Sequence, residues 1–123
     1  MSTLVSELTR YGVGRAEDDA VTAGQVLLGG VRVLDLTGPA AAAVTRLLAD
    51  LGADVLKIEV PDGADDRHAP PLVGTVSVPH TLDNANKRCV TLDPADDADR
   101  RRFDELVAGA DILVDGGHLA PAF

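Results

Sequence analysis

Between Gly30 and Glu59 the chain carries the pattern that most restricts its fold. Val31-Arg32-Val33-Leu34-Asp35-Leu36 is a short apolar-rich run bounded by Gly29-Gly30 and by Thr37-Gly38-Pro39, which reads as a strand. Ala40, Val44, Leu47, Leu48 and Leu51 then recur at helical spacing, with Pro39 near the first turn and Gly52 as the stop. Val55-Leu56-Lys57-Ile58-Glu59 follows as a second strand after a very short connection. Strand, tight turn, helix, tight turn and strand within about 30 residues is a βαβ unit. Such a crossover is right-handed, and its two strands lie parallel.

The rest of the chain extends this unit. Residues 60 to 86 contain Pro61, Gly63, Pro70, Pro71, Gly74 and Pro79 and read as a long loop, with one short strand at Thr75 to Val78. Long internal loops are more often functional than decorative. Arg88-Cys89-Val90-Thr91-Leu92 reads as a third strand, and Asp93-Pro94 as a helix start with Asp93 as the N-cap. Phe103, Leu106, Val107 and Ala110 form the stripe of that helix, and Asp111-Ile112-Leu113-Val114-Asp115 a fourth strand. The expected fold is therefore α/β: a three-layer, Rossmann-like domain with a mostly parallel sheet over residues 28–123. Residues 1–27 lack the pattern and read as an N-terminal arm with room for one short helix.

Composition narrows the function classes. The 123 residues are 46% hydrophobic, and Tyr11, Phe103 and Phe123 are the only aromatics, so the core must come from Leu, Val, Ile and Ala. A net charge of −9 argues against a nucleic-acid-binding domain, which needs a basic face. No apolar run approaches the ~20 residues that span a bilayer. No basic start precedes an apolar segment at the N-terminus, so the expectation is a cytoplasmic domain without membrane contact. A single cysteine, Cys89, excludes an internal disulfide framework and a multi-cysteine zinc site.

Ligands of open parallel sheets bind beyond the carboxyl ends of the strands. Three segments should converge there: Thr37-Gly38-Pro39-Ala40, Leu92-Asp93-Pro94 and Asp115-Gly116-Gly117. The first opens a helix with small residues, and a helix N-terminus favours an anion by roughly 0.3–1 kcal/mol. The same small residues equally serve close helix–sheet packing. Neither G-x-G-x-x-G nor G-x-x-x-x-G-K-[ST] occurs, so a standard dinucleotide or P-loop site is not indicated. His68, His80 and His118 all fall in expected loops without metal-ligand spacing, and no metal site is expected. Cys89, placed in an expected buried strand, reads as a structural thiol rather than a nucleophile. The acidic residues around Gly63 and those from Asp93 to Asp99 read as solvated surface, the latter pairing with Arg100-Arg101-Arg102 at i,i+4 spacing.

Several blocks carry a resemblance. These are Val31 to Thr37, Leu47-Leu48-Ala49-Asp50-Leu51-Gly52-Ala53-Asp54-Val55-Leu56-Lys57-Ile58-Glu59, Asp65-Asp66-Arg67, Asn86-Lys87-Arg88-Cys89-Val90-Thr91-Leu92-Asp93, Phe103 to Leu106-Val107, and Ala110-Asp111-Ile112-Leu113-Val114. In order and spacing they resemble the N-terminal segment of the class III CoA-transferases (CaiB/BaiF family), over about residues 28 to 115. That family includes formyl-CoA and carnitine CoA-transferases and the α-methylacyl-CoA racemases.

The resemblance implies a Rossmann-like domain that binds coenzyme A at its strand ends, incomplete here relative to the family, in an interlocked homodimer. It also implies transfer of CoA between carboxylates through an aspartate that forms anhydride and thioester intermediates. That aspartate, like the racemase branch's proton-transfer residues, lies downstream of the matched segment, so no catalytic residue is assigned in this chain. Carried over position by position, the CoA-binding candidates are Thr37, Pro39, Lys87 and Leu92. The implied partners are CoA or acyl-CoA and the remainder of a longer polypeptide or a partner subunit.

The match has departures. The stretch between Thr37 and Leu47 is one residue short, Gly38-Pro39-Ala40 replaces the family's Ala-Gly-Pro, and Val60 stands where a basic residue is frequent. Gly116-Gly117-His118-Leu119-Ala120 replaces Asn-Phe-Arg-Pro-Gly. These are places where the family grips CoA, and they leave two further readings open: a non-catalytic accessory or interaction domain that retains the fold, and a racemase-like domain.

Overall fold

The computed structural model describes residues 26–117 and 119–123. The expectation for residues 1–27 lies outside the described residues except for its last two, as does the placement of His118.

Strands β1 (Arg32–Leu36) and β2 (Asp54–Glu59) flank helix α1 (Ala42–Asp50), as the βαβ pattern requires. After an excursion come β5 (Arg88–Thr91), helix α3 (Asp97–Gly109) and β6 (Ile112–Asp115). The four strands form one all-parallel sheet in the order β5-β2-β1-β6. Asp35 lies beside Lys57 across β1 and β2, and Leu36 beside Asp115 across β1 and β6. Helices cover both faces of the two central strands, so β1 and β2 are buried at nearly every position. Leu34, Leu36, Leu56, Ile58, Val90 and Leu92 pack with Phe103 and Leu106 of α3 on one face. Val33, Ala49, Ala53 and Val55 form a thinner core on the α1 face.

The chain adds strands outward from β1 to β2 to β5, then crosses back through α3 to β6 on the other side of β1. This reversal is a topological switch point at the carboxyl ends of β1 and β6, where such sheets open a crevice.

Several expectations are corrected. Most of the stripe assigned to α1 lies off its packing face: Val44 and Leu47 are 56% and 58% exposed and Leu51 is also exposed, while Leu48 does pack against the core of that face. The helix buries Ala42, Thr45 and Ala49 instead. Two alanines let it sit close to the sheet, and Thr45 turns inward because its hydroxyl has a buried acceptor in Asp35, 2.7 Å away. Gly52, at φ 98°, ends the helix in the left-handed conformation that suits glycine and sends the chain into β2.

The 60–86 segment is more ordered than a loop. It holds a 3-10 turn (Asp65–His68), an antiparallel hairpin of β3 (Leu72–Val73) and β4 (Val76–Ser77), and helix α2 (Val78–Asp83). The expected strand over Thr75–Val78 shrinks to Val76–Ser77 because Ser77 caps a helix there, accepting from the His80 N–H, with Pro79 in the first turn. His80 is therefore helical, not in a loop.

Asp93 is not the cap of α3. It accepts from the Ala95 N–H in a preceding turn, and Asp96 caps the helix by accepting from Ala98 and Asp99. The arginine run pairs at i,i+3, Arg100 with Asp97 and Arg102 with Asp99, rather than at i,i+4. Val107, expected in the buried stripe of α3, is 37% exposed.

Candidate functional site

All four strands point the same way, so their carboxyl ends form one rim: Gly116 after β6, Thr37-Gly38 after β1, Val60 after β2 and Leu92 after β5. Two of the three expected segments meet directly. The Gly116 N–H donates to the Leu36 carbonyl at 3.3 Å. A Cβ on Gly116 would fall 3.2 Å from the Gly38 nitrogen, so a side chain at 116 would crowd that amide. The third segment stands two strands away, where the Leu92 N–H donates to the Glu59 carbonyl at 2.9 Å.

Beneath the β1–α1 turn lies a polar network in an otherwise apolar layer. Asp35 is fully buried. Its Oδ1 accepts from the Thr37 N–H (2.8 Å) and Thr37 Oγ1 (2.6 Å), and its Oδ2 from Thr45 Oγ1 (2.7 Å) and Lys87 Nζ (2.9 Å). Burial pushes its carboxyl pKa up, but the bonds from Thr37 and Lys87, the Lys57 charge and Thr45 outweigh it and hold the group below its ordinary value. Lys57, 3% exposed, donates from Nζ to the Thr37 carbonyl at 2.8 Å.

Lys87 completes the network. Its side chain is 1% exposed, and Nζ donates to Asp35, the Ala42 carbonyl (2.8 Å) and Asn84 Oδ1 (2.9 Å). Burial lowers its pKa against the pull of Asp35. All three ammonium hydrogens thus have protein acceptors, which is the arrangement of an anchor.

A second cluster stands at the end of β2. Glu59, buried, takes a two-pronged contact from Arg67, Nε to Oε2 at 2.5 Å and Nη2 to Oε1 at 2.9 Å, and accepts from the Ala64 N–H. Burial raises the Glu59 pKa, but Arg67 leads the contacts that bring it below its ordinary value, and the same pairing raises that of Arg67. His80 lies between two carboxylates, Nδ1 2.9 Å from Asp66 and Nε2 3.9 Å from Glu59. These contacts tie the 3-10 turn and α2 to the sheet. Cys89 is exposed on the edge strand β5, contrary to the expected burial. Its sulfur nevertheless sits against Glu59, and desolvation first, then that carboxylate, pushes the thiol pKa up to about 11. This is the opposite of an activated nucleophile. Among the described residues no group of three or more His, Cys, Asp and Glu side chains could hold a metal. No helix among them is long and apolar enough to cross a membrane.

Of the four CoA-binding candidates, Pro39 is exposed on the rim. Thr37 lies on the rim with its N–H and hydroxyl committed to Asp35. The Leu92 side chain is fully buried, which leaves only its backbone to face the edge. The Lys87 ammonium is spent inside the protein.

Sequence reasoning missed Asp35, Thr45, Lys57, Glu59 and the Asp66–His80 pair. For three of these the signal was present: Asp35, Lys57 and Glu59 interrupt strands expected to be buried on both faces, and a buried charge there demands a partner.

A family model, CoA-transferase family III, matches residues 28–119. The chain belongs to CoA-transferase family III. It is 57% identical over 74 residues to a probable CoA-transferase of Mycobacterium tuberculosis, a match covering 60% of this chain and 9% of that protein. It is 39% identical over 94 residues to human succinyl-CoA:glutarate CoA-transferase, covering 72% of this chain and 21% of that one. Among solved structures, a CaiB/BaiF family protein from Brucella suis superposes with a TM-score of 0.68 at 33% identity, over 73% of this chain and 25% of that one. The matched stretch thus covers 9% to 22% of the length of these CoA-transferase relatives and 25% of the Brucella suis protein.

Proposed function

We propose that this chain supplies the CoA-binding end of a class III CoA-transferase-like protein, which moves CoA between acyl or carboxylate groups. The observation that carries the reading is the switch point between β1 and β6. There Gly116 puts no side chain against the Gly38 amide, on a rim whose sequence matches a CoA-transferase family. CoA lies along this rim, against Thr37, Pro39 and the Leu92 backbone. Lys87 serves the site from within, by holding Asp35 and the start of α1. The aspartate that forms the acyl intermediates lies in chain beyond these residues or in a partner subunit, in keeping with the small share of each relative that is matched.

Calorimetric titration of the 123-residue chain with CoA, with NAD as control, tests this reading. Saturable binding of CoA alone supports it, and no heat with either counts against a CoA site in this chain. In a transfer assay the chain by itself shows no turnover, whereas a polypeptide that includes the downstream aspartate does. Robust turnover by the 123 residues alone would sink this division of roles. The accessory-domain reading draws on the burial of Lys87 and Leu92, two of the four candidate side chains. It predicts a stable complex with a partner and no CoA binding.

A further inference from the structure

We propose that Lys57 is a positioning residue of this rim: reaching under from β2, it fixes the Thr37 carbonyl and so sets the β1–α1 turn that CoA meets. The inference rests on the CoA reading above for its functional half and on the geometry alone for its structural half.

A lysine in the middle of a sheet covered on both faces is costly, and an aliphatic residue would serve the core better. Lys57 stands beside Asp35 in register, yet its hydrogen bond goes to a backbone oxygen, the Thr37 carbonyl at 2.8 Å. Thr37 is already held by its N–H and Oγ1 to Asp35. With Lys57, every hydrogen-bonding group of that residue is fixed from beneath. At the far end of the turn Lys87 does the same to the Ala42 carbonyl, at 2.8 Å.

Two lysines therefore grip the ends of the turn on its buried side. Between them the Gly38 carbonyl accepts from Ala41 and Ala42, which closes the loop onto the helix. Left over are the N–H groups of Gly38 and Ala40, which have no acceptor among the described residues, on a stretch where Pro39 and Ala40 are exposed. Gly116 leaves the first of them uncovered. Donors without an internal acceptor on a held turn are what a ligand's carbonyl or phosphate oxygens need, and the value of the grip is that the donors do not have to be ordered on binding.

The test combines amide hydrogen exchange with CoA titration on the 123-residue chain. Lys57→Met should speed exchange of the hydrogen-bonded Thr37, Ala41 and Ala42 amides by tenfold or more while leaving α3 unchanged, and weaken CoA about tenfold. Lys57→Arg, which keeps a donor for the Thr37 carbonyl, should recover most of both. Phe103→Leu, which thins the core on the opposite face, should lower Tm without moving the Kd. If Lys57→Met does not fold, Lys57→Gln, too short to reach the carbonyl, carries the same comparison. Exchange that is unchanged at the Thr37, Ala41 and Ala42 amides, or raised equally everywhere, overturns the positioning role. Selective exchange with an unchanged CoA Kd overturns its functional half. A wild-type chain that takes no CoA overturns the CoA reading, and the exchange comparison still decides whether Lys57 sets the turn.

Discussion

Replacing Lys87 by Met isolates the energetics of the buried network. The ammonium is 1% exposed and Asp35 is fully buried, so the substitution leaves a carboxylate in the interior without its hydrogen-bonded cation. It also strips the Ala42 carbonyl and Asn84 Oδ1 of a donor. Breaking one side of such a pair costs about 3–5 kcal/mol. At about 4 °C per kcal/mol for a domain of this size, Tm should fall by roughly 12–20 °C. The pH profile gives a second readout. Asp35 has a folded pKa below its unfolded value, so its contribution is complete above the ordinary Asp pKa near 3.8 and is lost as pH falls through the folded value. Without Lys87 the folded pKa rises, so the loss of stability toward acid becomes shallower. Denaturant unfolding of both proteins between neutral pH and pH 3 measures this directly. A Lys87→Met protein within about 1 kcal/mol of wild type, a difference typical of surface substitutions and mild changes, would refute the reasoning. So would an unaltered acid slope.

Other perturbations probe the neighbouring features. Glu59→Gln removes the charged partner of Arg67 and should cost about 1–3 kcal/mol, with faster proteolysis within residues 60–87; an unchanged cleavage rate would mean that Glu59 does not tie down the excursion. Gly116→Ala puts a Cβ 3.2 Å from the Gly38 nitrogen, so one strand end must shift by a few tenths of an ångström, and it should destabilise by about 1 kcal/mol in a denaturant titration; a stabilised variant would show that the rim yields freely there. Leu47→Gln should change stability by no more than about 0.5 kcal/mol in this chain, because Leu47 is 58% exposed, whereas a core leucine would cost several times that. Cys89 should react sluggishly with disulfide reagents at pH 8, where about one thiol in a thousand is ionised, and keep accelerating past pH 10; a plateau near pH 9 would contradict the raised pKa of about 11.

Which parts of this molecule were legible in the sequence follows from what each residue packs against. The central strands were plain because helices cover both faces, which leaves Val33-Leu34 and Val55-Leu56 as continuous apolar runs. The packing face of α1 was hidden because hydrophobicity points to Val44 and Leu47, while close approach to the sheet selects Ala42, Thr45 and Ala49. Helix α2 was masked by prolines that read as loop, although Ser77-Val78-Pro79 is a capped helix start. At the rim, the strand-end rule located Thr37-Gly38 and Gly116 correctly. Lys87 is different. A lysine in a matched motif can point to a ligand or into the protein, and only the three-dimensional position of Asp35, 52 residues away in sequence, decides. The same holds for His80, whose neighbours Asp66 and Glu59 come from separate elements.

The central claim is that CoA occupies the carboxyl rim of the sheet, and mapping backbone amide chemical shifts of the 123-residue chain during a CoA titration tests it most directly. The account predicts saturable shifts at the amides of Thr37, Gly38, Ala40, Leu92, Asp93, Ala95, Gly116 and Gly117, with α3 beyond its first turn unmoved. Absence of saturable shifts, or shifts centred on the exposed face of α1, would contradict it.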